Sequence, residues 1–182
     1  MKPFVLTANK QFRPLPPPAP GTDEFKKALS EVAELGSANS SRRTDEQTHI
    51  AQFYKQDAEI TVNEAARELL NRHHSSLEDA ALILLLTDIA EADARIAIWD
   101  AKYFYLFWRP VTALNADEDG SVTNNYSVWT PLLVTPPHPS YPCGHCGTVT
   151  PGSLCCDIFL AIKMNISCTQ LLPAKRREPY SH

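Results

Sequence analysis

Glycine is scarce in this chain, with six residues against fifteen prolines. Flexible, glycine-rich phosphate loops and glycine-punctuated β architectures are therefore poor expectations. A long hydrophobic run is also missing. The longest nearly apolar stretch, Ala80 to Leu86, is far too short to span a bilayer. The apolar patch near Met1 is too short for the core of a signal peptide. Basic excess is absent too, for the formal net charge is -4, and this argues against a nucleic-acid partner. No internal repeat is evident, and nothing before Val111 alternates as a strand would. Compartment and oligomer symmetry are not written in the sequence, although a homo-oligomer is compatible with it.

What is present fits one domain with a sizeable core, 43% of its 182 residues being hydrophobic. Prolines cluster at residues 14–20 and 131–142, where regular structure should stop. Residues 1–21 are expected to form an extended Pro-rich strap. A competing reading makes Arg13, Leu15, Pro16 and Pro18 a ligand for a polyproline-binding domain. A helical domain is expected over residues 22–160, followed by a divergent tail over 161–182. Five cysteines, Cys143, Cys146, Cys155, Cys156 and Cys168, sit in the last quarter, and an odd count without a secretion signal favours reduced thiols.

Helical patterns follow one another. The first runs from about Asp23 to Leu35, with Gly36 as its stop. Three capping-box patterns follow, at Thr44 to Gln47, Thr61 to Glu64 and Ser75 to Glu78, each expected to open a helix. The last opens the longest pattern, from about Leu77 to Trp108, ended by Pro110. Leu82, Leu85, Leu86, Ile89, Ala92 and Ile96 recur on it at helical spacing and are expected to form its core face. The fold class that results is all-α, a helical bundle.

Two stretches carry chemistry. Lys102 and Arg109, seven residues apart, fall on nearly the same face of a continuous helix, about 10 Å apart along its axis. They lie among Trp99, Tyr103, Phe104, Tyr105, Phe107 and Trp108, so the cations are expected to be partly buried and to need an anionic partner. The second stretch, Pro142-Cys143-Gly144-His145, is a turn entering a further element. Free N–H groups at a helix start bind anions, and a histidine there can exchange a proton with a bound oxyanion. The spacing Cys143-x-x-Cys146 leaves two other chemistries open, dithiol exchange and a weak zinc pattern.

The pairing of Lys102 and Arg109-Pro110 with Pro142-Cys143-Gly144-His145 resembles the first two of three active-site motifs of the superfamily that holds vanadium-dependent haloperoxidases and type 2 phosphatidic acid phosphatases. Trp99 to Tyr103, Phe107 to Thr112 and Thr135 to Pro139 look closer to the soluble haloperoxidase-like branch, as do Gln11 to Pro14 and Ser40 to Thr48. The resemblance spans roughly residues 3 to 160. It implies that Lys102, Arg109, Cys143 and Gly144 bind vanadate, or alternatively phosphate, and that His145 is the acid/base. It also implies small-molecule substrates, either hydrogen peroxide and a halide or a phosphate ester. Lys102 would make bound peroxide more electrophilic.

Two departures stand out. Cys143 occupies the position of the family's serine. No third motif, with its arginine and final histidine, is found after Phe159, and His182 lacks that context. The expectation is a fragment of the family domain whose peroxide-driven halide oxidation is impaired. The alternatives are a phosphomonoester phosphatase of the same superfamily and a non-catalytic binding protein.

Overall fold

The computed structural model describes residues 1–116 and 129–164, with side chains through residue 159. Among these residues six helices follow in order: α1 (Asp23–Gly36), α2 (Asp45–Phe53), α3 (Ala58–Arg72), α4 (Leu77–Tyr105), α5 (Pro110–Leu114) and α6 (Gly144–Met164). No strand occurs among the described residues, only an isolated bridge between Ser37 and Pro131. The fold is an all-α bundle. The expected tail beyond residue 164, with Cys168 and His182, lies outside the described residues, as does the turn-rich stretch 117–128.

Local chemistry explains most helix starts. The Thr22 hydroxyl accepts from the Phe25 N–H, and the Ser76 hydroxyl from the Asp79 N–H. At α2 the capping box is complete, for Thr44 Oγ1 takes the Gln47 N–H at 3.1 Å and Gln47 Oε1 takes the Thr44 N–H at 2.9 Å. The start expected at Thr61 is corrected, because α3 begins at Ala58 with Asp57 as the extended flanking residue. The Thr61 hydroxyl is instead engaged by Gln56 Nε2 at 2.9 Å, inside the helix it was expected to open.

Gly36 is the last residue of α1 rather than the stop after it. Its lack of a side chain serves close packing, since a Cβ there would meet Trp129 Cζ2 at 3.3 Å. Trp129 Nε1 donates to Ala33 O at 3.0 Å, and Leu132 N to Gly36 O at 2.9 Å. The chain entering the second motif is thereby tied to the end of α1.

α6 lies along α4 and against α3. Two glycines permit that approach. A Cβ on Gly147 would come within 2.5 Å of Ile98 Cδ1, and one on Gly152 within 2.7 Å of Val62 Cγ1 and 2.8 Å of Glu91 Oε1. Ala66, Leu70, Ile83 and Cys156 form the buried cluster, flanked by Leu69, Ala80, Leu84, Cys155 and Phe159.

The core face expected on α4 is also corrected. Ile83, Thr87 and Glu91 point inward, whereas Leu82, Leu85 and Leu86 are exposed. The buried stripe is displaced by one residue and includes a hydroxyl and a carboxyl, which a hydropathy pattern assigns to the outside.

The Pro-rich N-terminal segment lies across α4. The Asp93 carboxylate accepts the N–H groups of Phe4, Val5 and Leu6 at 2.6, 2.7 and 2.9 Å. Further along, Arg13 pairs with Asp100 and stacks 3.9 Å over the Phe104 ring, while Tyr105 and Tyr141 donate to the carbonyls of Pro14 and Leu15 at 2.6 and 2.7 Å.

Candidate oxyanion site

α4 does not continue to Trp108. It ends at Tyr105, with Leu106 in the left-handed region at φ 48°. Two causes act together. Arg109 precedes a proline and is held extended at φ -75°, ψ 148°, so a helix cannot run through it. Phe107 turns inward, its ring edge-on to Phe25 and Tyr141 at 6.2 and 6.3 Å. Lys102 and Arg109 thus do not share a helix face, which corrects the expectation drawn from their spacing. They still meet, because the chain folds back and both line one cleft of about 450 Å³.

Lys102 is 2% exposed. Its Nζ donates to Pro139 O and Ser140 O, both at 2.9 Å. Arg109 Nε donates to His138 O at 2.6 Å, and its Nη2 lies 3.1 Å from His138 Nε2. Neither cation forms an ion pair among the described residues. Burial, and then the neighbouring Arg109 charge, bring the Lys102 pKa down to about 8, with charge on Cys143 opposing them. Burial also lowers that of Arg109, again with charge on Cys143 opposing it. Buried Lys102 and half-buried Arg109 are met by carbonyl dipoles and the His138 ring, and an anion in the cleft would supply what they lack.

Pro142, Cys143 and Gly144 form the turn into α6, and Gly144 is its first residue. Cys143 acts as the cap. Its carbonyl accepts the Gly147 N–H at 3.3 Å and its sulfur accepts the Cys146 N–H at 3.3 Å, the positions a capping serine would fill. The N–H groups of Gly144 and His145 have no acceptor among the described residues. An added Cβ on Gly144 would sit 3.9 Å from Lys102 Cε, so the helix start and the cation are close neighbours. His145 is exposed, and its Nε2 lies 2.9 Å from Gln56 O. A carbonyl only accepts, which places the proton on Nε2 and leaves Nδ1 as the basic nitrogen of the neutral ring.

All five site residues expected from the sequence line the cleft: Lys102, Arg109, Cys143, Gly144 and His145. Three further residues there were not anticipated. Lys55 and Arg95 bring the lining cations to four, against Asp57 as the lining carboxylate. His138 packs edge-on against Trp99 at 4.6 Å. Burial lowers its pKa; a hydrogen bond to the Pro139 carbonyl opposes this, and the Arg109, Lys102 and Arg95 charges add to it. The neutral ring is therefore favoured. Among the described residues no group of three or more His, Cys, Asp or Glu side chains is placed to hold a metal ion.

Residues 82–170 match the family model for the second helical-bundle domain of vanadium chloroperoxidase. Vanadium chloroperoxidase of Curvularia inaequalis is 26% identical over 153 residues, an alignment covering 68% of this chain and 25% of that protein. A solved structure described as the first bacterial vanadium-dependent iodoperoxidase superposes with a TM-score of 0.67 at 29% identity, over 88% of this chain and 39% of its own. The chain thus spans about a quarter of the curated relative's length. No helix among the described residues is long and apolar enough to cross a membrane. With the two motifs at one cleft, the family model across α4 to α6 and the shared bundle, the chain is similar to the vanadium haloperoxidase-like superfamily.

Proposed function

We propose that the cleft binds a tetrahedral oxyanion, vanadate in the haloperoxidase-like role with phosphate as the competing anion. One observation carries this: Lys102, Arg109, Gly144 and His145 line the same pocket, and among the described residues neither cation is ion-paired and the Gly144 and His145 N–H groups have no acceptor. Such donors suit the oxygens of an oxyanion, and charge-assisted hydrogen bonds are the strong ones. Lys102, Arg109, Gly144 N–H and the Cys143 sulfur would hold the group. When bound, vanadate supplies the centre at which hydrogen peroxide is activated toward a halide.

The chain's own residues have separable tasks. Lys102 has two of its three N–H bonds committed to carbonyls, leaving one for the anion and fixing where that proton points. Arg109 adds a second charge to the same cleft while anchoring His138. His145 takes or gives a proton through Nδ1, held in that tautomer by Gln56. Oxyanion binding is the property that these two motifs carry by themselves. Halide oxidation is assigned as the activity that the site supports where the family's third motif is also supplied.

The divisions at residues 1–21, 22–160 and 161–182 belong to the same proposal. So does association of two copies, favoured by the exposed side chains Leu82, Leu86, Leu154 and Ile158. The test is calorimetric titration with vanadate and with phosphate, followed by bromination of a phenolic dye with vanadate, peroxide and bromide. Lys102→Ala and Arg109→Ala should each weaken binding at least about tenfold. Unchanged affinity in both variants would defeat the assignment.

A further inference from the structure

We propose that Cys143 and Cys146 form a peroxide-reactive dithiol at the rim of the cleft, a redox centre independent of any bound oxyanion, which reduces small hydroperoxides as it closes to a disulfide. The two sulfurs lie 2.7 Å apart and in hydrogen-bond contact. Only about 0.7 Å more is needed to reach a bonded S–S separation. Both thiols are free and exposed, so a small oxidant reaches them without opening the fold. Cys155 and Cys156, by contrast, sit half-buried and buried along α6.

The surroundings divide the pair's roles. Cys143 lines the cleft with Lys102 and Arg109, and charge on its sulfur favours the protonated form of both cations. The Cys146 N–H also points at that sulfur. Cys146 is pushed up to about 11, chiefly by its hydrogen bond with Cys143 and then by burial. Cys143 is therefore the attacking sulfur and Cys146 the resolving one. The Cys143 thiolate attacks one peroxide oxygen. An S–O bond forms, the O–O bond breaks, and hydroxide leaves beside the Lys102 and Arg109 cations, taking a proton to become water. Cys146 then attacks the Cys143 sulfenic acid, the S–S bond forms, the S–O bond breaks, and its thiol proton leaves with hydroxide as a second water. Two thiols are oxidised to a disulfide and one peroxide is reduced to two waters. A dithiol reductant returns the pair by exchange.

An all-α fold excludes the thioredoxin architecture, so the pair's reactivity comes from its place at the cleft. The test uses the full reduced chain in the absence of vanadate, treated with stoichiometric hydrogen peroxide and read by intact mass and peptide mapping. The expected product is about 2 Da lighter, with one disulfide within the peptide spanning 143–146, and dithiothreitol restores it. Cys146→Ser should stop at a sulfenic acid on Cys143 that dimedone captures, and Cys143→Ser should slow peroxide consumption at least about tenfold. Circular dichroism of both variants reports retained helix. First oxidation at Cys155 or Cys156, or sulfinic products without the disulfide, would overturn the proposal. Because the wild-type measurement needs no oxyanion, its failure is separate from failure of the oxyanion assignment.

Discussion

Lys102 offers the sharpest test of how the cleft works. In the free protein its pKa stands near 8, depressed by burial and by Arg109. An anion beside it favours the charged form, so binding takes up a proton when the pH lies above that value. The sign is then fixed: affinity is greatest below about pH 8 and falls as pH rises, approaching tenfold per pH unit until the pKa of the bound state is reached. Sulfate is the suitable probe, because its own charge does not change in this range. A hydrogen bond to a charged group contributes about 1.5–3 kcal/mol, so Lys102→Met should weaken sulfate binding about ten- to hundredfold at neutral pH and abolish the inflection. Calorimetry in buffers of different ionisation enthalpy counts the proton directly. The reasoning fails if wild-type affinity stays flat from about pH 7 to pH 9.5, or if the methionine variant keeps the same inflection. The wild-type profile matters most, since removing Lys102 also strips the Pro139 and Ser140 carbonyls of their donor.

Other perturbations test the scaffold. Glu91 is buried, and desolvation, with Asp88 adding to it, raises its pKa to about 7. Stability should therefore fall as pH rises between about 4.5 and 7, and Glu91→Gln should restore about 3 kcal/mol above that window, read as a Tm gain that vanishes in acid. Asp93 is the opposite case. Burial acts to raise its pKa, but the Leu6, Phe4 and Val5 N–H groups outweigh it and hold it low. The grip on the N-terminus should thus persist until pH falls below the usual carboxylate range, and Asp93→Ala should expose residues 4–6 to limited proteolysis at a cost of about 2 kcal/mol. Gly152→Ala should cost about 1–3 kcal/mol in chemical denaturation, because α6 would have to back away from Val62 and Glu91.

Features decided by a few adjacent residues were legible in the sequence. The Thr44 box is a local hydrogen-bond pair and forms as read, whereas the cap expected at Ser75 falls one residue later, on Ser76. The five residues singled out in the sequence do line one cleft, although the helix face expected to bring the two cations together does not exist. What the sequence hid was tertiary. The end of α4 depends on Phe107 finding Phe25, some eighty residues earlier in the chain. The buried stripe of α4 holds Glu91 and Thr87, which only the neighbouring α3 and α6 can place inside. His138 read as part of a Pro-rich loop. Its signal was the pair of cations that needed partners, a need the loop's own carbonyls meet in part. Lys55, in the turn after α2, and Arg95, on α4, gave no signal, since single charges outside a motif read as solvated.

The carbonyl grip of Lys102 has a further consequence. One ammonium both fastens the loop at Pro139 and Ser140 and reaches for the anion, so tightening on a ligand must draw on the same proton supply that holds the wall. A guanidinium placed there would spread its donors in a flat fork and could not clasp two adjacent carbonyls while sparing a third direction. Arginine in place of Lys102 would keep the charge and lose the tripod, turning a hand with three fingers into a blade.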